Sequence, residues 1–153
     1  MVSYNISPEN LESYLNAEYH VYSESKFILK VGKTSSDLIN LYQKFNRNQA
    51  SFLTAYNPLS QEMTTKQNKS MNSKLESLLI KMNYPYILSE GICPETQYPG
   101  EKSFLVFGTE LSLAKELGNQ FHQNAILWIN NDAIPQLILL KWNYGNKKNN
   151  FKY

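Results

Sequence analysis

Four polar residues stand where a protein of helices and strands could hold a ligand. Thr54, Asn57 and Ser60 lie in T-A-Y-N-P-L-S, directly after the apolar pair Phe52-Leu53, and Asn68 follows ten residues after Pro58. A strand over Ser51–Tyr56 would be nearly all apolar, which fits the centre of a sheet. Asn57-Pro58 must end it, because proline has no N–H to donate to a central ladder. Asn68 precedes Leu75 by seven residues and Leu79 by eleven, spacings that place it on the apolar stripe near the start of the next helix. Asn72 sits one turn further on, beside Met71 and Leu75. An amide on the core side of a helix costs about 1–3 kcal/mol unless it is hydrogen-bonded. These amides could bond Thr54 and the Asn57-Pro58 turn, or they could face a ligand. In open α/β sheets ligands sit beyond the carboxyl ends of strands, where helices begin.

Other residues that could do chemistry lack the spacing for it. Gly32-Lys33-Thr34 follows a strand and precedes a helix, but a phosphate loop needs a glycine five positions earlier, and Phe27 stands there. A strand-ending glycine followed by helix caps explains the triplet. Cys93 could pair with His20 or His122 as nucleophile and base, yet it precedes Pro94 in a loop and reads as inert. Two histidines and one cysteine offer no metal-ligand spacing, so neither metal nor cofactor is expected. The C-terminal K-W-N-Y-G-N-K-K-N-N-F-K-Y interleaves aromatics with lysines, as single-strand binders do. No wider basic footprint supports it, so a solvated tail is the preferred reading and nucleic acid a disfavoured partner.

The elements that must position these residues follow from periodicity. Ser7-Pro8-Glu9 predicts a capped helix carrying Leu11, Tyr14 and Leu15. Strands are predicted over Lys26–Val31, Ser51–Tyr56, Tyr86–Ser89, Ser103–Phe107, Ala125–Ile129 and Gln136–Leu140, the last two as an antiparallel hairpin. Helices are predicted after Thr34–Asp37, from about Gln61 to Met82 with Leu75 and Leu79 inward, and after Thr109. Gly91–Gly100 reads as a loop, and Asn143–Tyr153 as a polar, frayed tail. The order α-β-α-β-α-β-β-α-β-β predicts one α/β domain over residues 1–153, with a mixed sheet of about five to six strands covered by helices. The strands of Phe27, Phe52, Phe104 and Ile126 are its expected core.

Composition agrees with a globular chain. The 153 residues are 42% hydrophobic and 13% aromatic, and the net charge of +2 is too mild to imply a nucleic-acid or membrane partner. A lone cysteine makes no intrachain disulfide, and no secretory signal or spanning apolar run is visible, so a cytoplasmic location is expected.

Three spaced motifs carry a resemblance. T-A-Y-N-P-L-S-Q with Asn68 is followed by Glu101-Lys102-Ser103-Phe104-Leu105-Val106, and then by Phe121-His122-Gln123-Asn124-Ala125-Ile126-Leu127-Trp128. From about Ser51 to Trp128 the chain resembles a small bacterial family catalogued as domain of unknown function 3293. His122 stands where the family usually has glycine, and Tyr98 where a tryptophan is expected. The family implies no known activity. Within its motifs Glu101 and Ser103 share one strand face, and Gln123 enters another strand.

Thr54, Asn57, Ser60, Asn68, Glu101, Ser103 and Gln123 are thus candidate site residues, amides and hydroxyls with one carboxylate, of which Asn57, Asn68, Glu101, Ser103 and Gln123 are expected to converge in space. Such groups read hydrogen-bonding patterns. The leading expectation is a small polar or nucleotide-like ligand, bound or hydrolysed, with Glu101 as general base or acid and Ser103 and the amides orienting the substrate. One alternative is a protein–protein interaction or regulatory module, whose polar residues are a structural network. The other is a weak RNA or DNA binder acting through the tail.

Overall fold

The computed structural model describes residues 6–140; the tail from Asn143, with Lys147, Lys148 and Lys152, lies outside the described residues. Ser7 accepts the Asn10 N–H at 3.1 Å and Pro8 opens α1 (Pro8–Asn16) as its sequence predicts. β1 (Glu18–Val21) has no counterpart among the predicted elements. Its four residues, with Tyr19 and Val21 buried, are too few to show a period. β2 (Phe27–Leu29) is shorter than Lys26–Val31, and α2 (Ser36–Phe45) is capped by Ser35. β3 (Ala50–Leu53) is buried throughout and leads to a single 3-10 turn at Pro58–Ser60. α3 (Thr65–Lys81) starts later than Gln61, because Thr64 and Gln67 cap each other's backbone in a reciprocal box. β4 (Tyr86–Ile92), β5 (Glu101–Phe107), α4 (Leu111–Gln120), β6 (Ala125–Ile129) and β7 (Pro135–Leu139) complete the order. The loop between β4 and β5 is therefore shorter than Gly91–Gly100.

The α/β composition stands, but the sheet has seven strands where five to six are predicted, and all its pairings are antiparallel where a mixed sheet is predicted. The order is β2-β1-β4-β5-β3-β6-β7. Interleaved helices suggest parallel neighbours, yet the crossovers through α3 and α4 each land one place over. β4 runs parallel to β3 with β5 between them, and β6 runs parallel to β5 with β3 between them. The inserted strand makes both contacts antiparallel.

The sheet curls until its two edges meet. The Gly32 N–H donates to the Pro135 carbonyl at 2.9 Å, the Ser35 N–H to Ala133 at 3.1 Å, and the Thr34 hydroxyl to Asp132 at 2.9 Å. Gly32, with φ 81°, makes the turn that this seam requires. The Gly32-Lys33-Thr34 triplet joins β2 to the β6–β7 hairpin.

Two cores result. The inner face packs Tyr19, Leu29, Phe52, Leu105 and Leu127 under α1 and α2. The outer face packs Leu53, Phe104, Val106, Ile126 and Trp128 under α3 and α4, with Leu75 and Leu79 of α3 inward as predicted. Phe52, Phe104 and Ile126 are core residues, whereas Phe27 is half-buried, because β2 is an edge strand.

Candidate functional site

The turn after β3 brings two of the predicted polar residues, Asn68 and Glu101, to Asn57. The Asn57 N–H donates to Asn68 Oδ1 at 2.8 Å, and Asn68 Nδ2 donates back to Asn57 Oδ1 at 2.9 Å. The same Oδ1 accepts the Met63 N–H at 3.1 Å, and Asn57 Nδ2 donates to Glu101 Oε2 at 2.8 Å. One asparagine therefore links the strand end, the approach to α3, the first turn of α3 and the start of β5. Asn68 reaches Glu101 only through Asn57.

The other members spend their polar atoms on backbone. Asn72 accepts the Ala55 N–H at 2.9 Å and donates to the Lys102 carbonyl at 3.1 Å. Thr54 donates to the same carbonyl at 2.6 Å and accepts the Tyr56 N–H at 3.1 Å. Gln123 donates to the Tyr56 and Phe121 carbonyls at 3.0 and 3.2 Å. Ser103 is buried and donates to the Glu101 carbonyl at 2.8 Å, so it meets Glu101 through main chain alone. Ser60 joins a second chain: its Oγ lies 2.6 Å from the Tyr14 hydroxyl and accepts from Asn124 Nδ2 at 2.8 Å. Tyr14 and Asn124 are absent from the predicted set. Tyr14 reads as part of the apolar stripe of α1, although a buried tyrosine hydroxyl calls for a partner.

Glu101 differs from these neighbours. It shares the inner face of β5 with Ser103, Leu105 and Phe107. Opposite it on β4 is Gly91, and opposite Gly91 on β1 is Tyr19. Glycine leaves that row open beside the carboxylate: a Cβ at Gly91 would first meet the Tyr19 ring, at 3.9 Å. Burial holds the Glu101 carboxyl above the usual carboxylate range, and the Asn57 hydrogen bond opposes this. No lysine, arginine or histidine among the described residues forms an ion pair with it. Burial also raises the Tyr14 hydroxyl; its hydrogen bonds to Ser60 and Asn124 oppose this, and the charge of Glu101 adds to it. Burial, then Glu101, then Glu95 push up the Cys93 thiol, which favours its protonated form. Cys93 also lines a cleft of about 200 Å³ between α1 and the β4–β5 loop, together with Glu9, Glu12, Ser13 and Glu95. None of the predicted set lines this cleft. Among the described residues no group of three His, Cys, Asp or Glu side chains could hold a metal.

Backbone strain concentrates here. Asn57, Leu59, Ser60 and His122 have φ of 46°, 56°, 59° and 54°, and the Leu59 N–H donates to the His122 carbonyl at 2.7 Å. Left-handed conformations of non-glycine residues cost of order 1–3 kcal/mol and cluster at functional sites. His122, where the resemblance calls for glycine, takes the positive φ that glycine would take. His122→Gly is therefore expected to raise stability by about 0.5–1 kcal/mol, strain relief outweighing the added chain entropy. Urea unfolding checks it, and a lower midpoint would contradict it.

Residues 53–126 match the family model described as Protein of unknown function (DUF3293). Over that segment the chain is similar to this family. That segment contains Thr54, Asn57, Ser60, Asn68, Glu101, Ser103 and Gln123, while Tyr14, β1, β2 and β7 lie outside it. No curated protein and no solved structure matches the chain.

Proposed function

We propose that the protein binds a small polar or nucleotide-like ligand through the Glu101 carboxylate, beside the strained Asn57–Ser60 turn. One observation carries this reading: Glu101 is half-buried, accepts a hydrogen bond from Asn57, and forms no ion pair with any cation among the described residues. A carboxylate in that setting has acceptor capacity left for a ligand that donates hydrogen bonds, such as an amide, an amine, a sugar hydroxyl or a base edge. Asn57 orients the carboxylate, and Asn68 holds Asn57. In any turnover Glu101 is the general base or acid, since its environment shifts its pKa upward, toward neutrality. Ser103 supports the strand and does not contact substrate, its hydrogen being engaged by the Glu101 carbonyl.

A thermal-shift screen with nucleotides, sugars and amino-acid amides tests the proposal. A ligand present at a hundred times its dissociation constant stabilises the native state by about 2.7 kcal/mol, a readily measured rise in melting temperature. The expected result is a rise with at least one of these classes. A flat response across all three would count against the reading.

The second reading, an interaction module, is favoured by a different observation. Thr54, Asn68, Asn72, Ser103 and Gln123 form the hydrogen-bonded network that this reading requires, and large apolar side chains are exposed elsewhere, among them Ile28, Ile80 and Leu88.

A further inference from the structure

A groove of about 400 Å³ runs between α3 and the end of α4, on the outer side of the sheet, and Glu101 does not line it. Its floor is Met71, Leu78 and Phe121, and its rim is Lys74, Ser77, Lys81 and Gln120. From Met71 to Lys81 the lining follows one side of α3 for ten residues, ~15 Å at 1.5 Å per residue. Among the described residues no carboxylate lines it. Lys74 and Lys81 are seven residues apart, so they stand on the same side of α3, ~10.5 Å from each other.

We propose that this groove docks an amphipathic acidic helix of a partner protein. Three features select that occupant. A helix that presents apolar side chains at i, i+4 and i+7 spans ~10.5 Å, which the floor accommodates. Two acidic residues seven apart on such a helix match the Lys74–Lys81 spacing, giving the charge complementarity that fixes register. Met71 on the floor is unbranched and adapts its shape to an incoming side chain. A lipid surface fits less well, since Met71 and Leu78 are half-buried and Phe121 is buried, and none stands out to enter a bilayer. Nucleic acid has no use for the apolar floor. This docking surface is independent of the Glu101 proposal.

The test uses the full chain and two short alanine-based helical peptides. Each peptide carries leucines at i, i+4 and i+7 flanked by two charged residues seven apart, glutamates in one and lysines in the other. By fluorescence anisotropy at low salt, the wild-type protein is expected to prefer the glutamate peptide by roughly tenfold. The double variant Lys74→Glu, Lys81→Glu, at exposed positions, should reverse the preference. Ser77→Phe, also at an exposed position, should block both peptides by filling the groove without altering its charge. Circular dichroism confirms that the variants fold. Equal binding of the two peptides, no binding of either, or a preference that survives charge reversal overturns the proposal. So does binding to anionic phosphatidylglycerol vesicles, or self-association of the wild type, if either is lost in the double variant, since the occupant would then be a membrane or a second copy.

Discussion

Asn57→Ala is expected to lower stability by about 2–4 kcal/mol, read as a shift in the urea midpoint. Two losses add up. The side chain makes three hydrogen bonds, with Asn68, Met63 and Glu101, and each such bond contributes about 1 kcal/mol net at a partly exposed site. The residue also sits at φ 46°, where asparagine is tolerated and alanine is strained. Asn57→Gly removes the same hydrogen bonds but restores the backbone freedom. It should therefore lose about 1 kcal/mol less than the alanine variant. Equal losses in the two variants would show that the turn carries no strain. A loss below about 0.5 kcal/mol in both would show that Asn57 is not the hub of the site.

Glu101→Gln is expected to keep the fold, gain stability near neutral pH and lose ligand. The carboxamide oxygen can still accept from Asn57 Nδ2, so the hub survives. What disappears is the charge that burial disfavours. A carboxyl raised in the folded state binds more protons there than in the unfolded chain over the interval between its two pKa values. The wild type is accordingly most favoured below the unfolded pKa and loses this contribution as pH rises through the folded one. The glutamine variant lacks that loss. Urea midpoints of both proteins from pH 4 to pH 8 should therefore draw apart as pH increases, with the variant the more stable at the upper end. A variant less stable than wild type at every pH would mean that Glu101 serves the network alone.

Much of the site was legible because its logic is local. Proline after Asn57 forces the turn, the seven- and eleven-residue spacings put Asn68 on the buried side of α3, and alternation puts Glu101 and Ser103 on one face. What stayed hidden is too short to show a period or depends on pairing over long separations. β1 is four residues long, too short to show a period; it pairs locally with β2 on one side and with β4, some 70 residues away, on the other. The antiparallel sheet was hidden because the insertion of β5 beside β3 is a matter of topology, and helix–strand alternation reads alike in both arrangements. Tyr14 reads as an apolar contact because helical spacing reports which face a residue takes, and not where its hydroxyl ends. The hydroxyl meets Ser60 across 46 residues of chain. Ser103 lies on the expected face, yet its hydrogen bond runs to its own strand, which alternation alone does not specify.

The most direct test of the account is a calorimetric titration, at pH 7, of the strongest ligand from the thermal-shift screen into wild-type and Glu101→Gln protein. A hydrogen bond to a charged group contributes about 1.5–3 kcal/mol, so the account predicts affinity weakened by roughly ten- to a hundredfold in a variant that remains folded and at least as stable. Equal dissociation constants for the two proteins would contradict it, since the ligand would then be bound without the carboxylate on which the site is built.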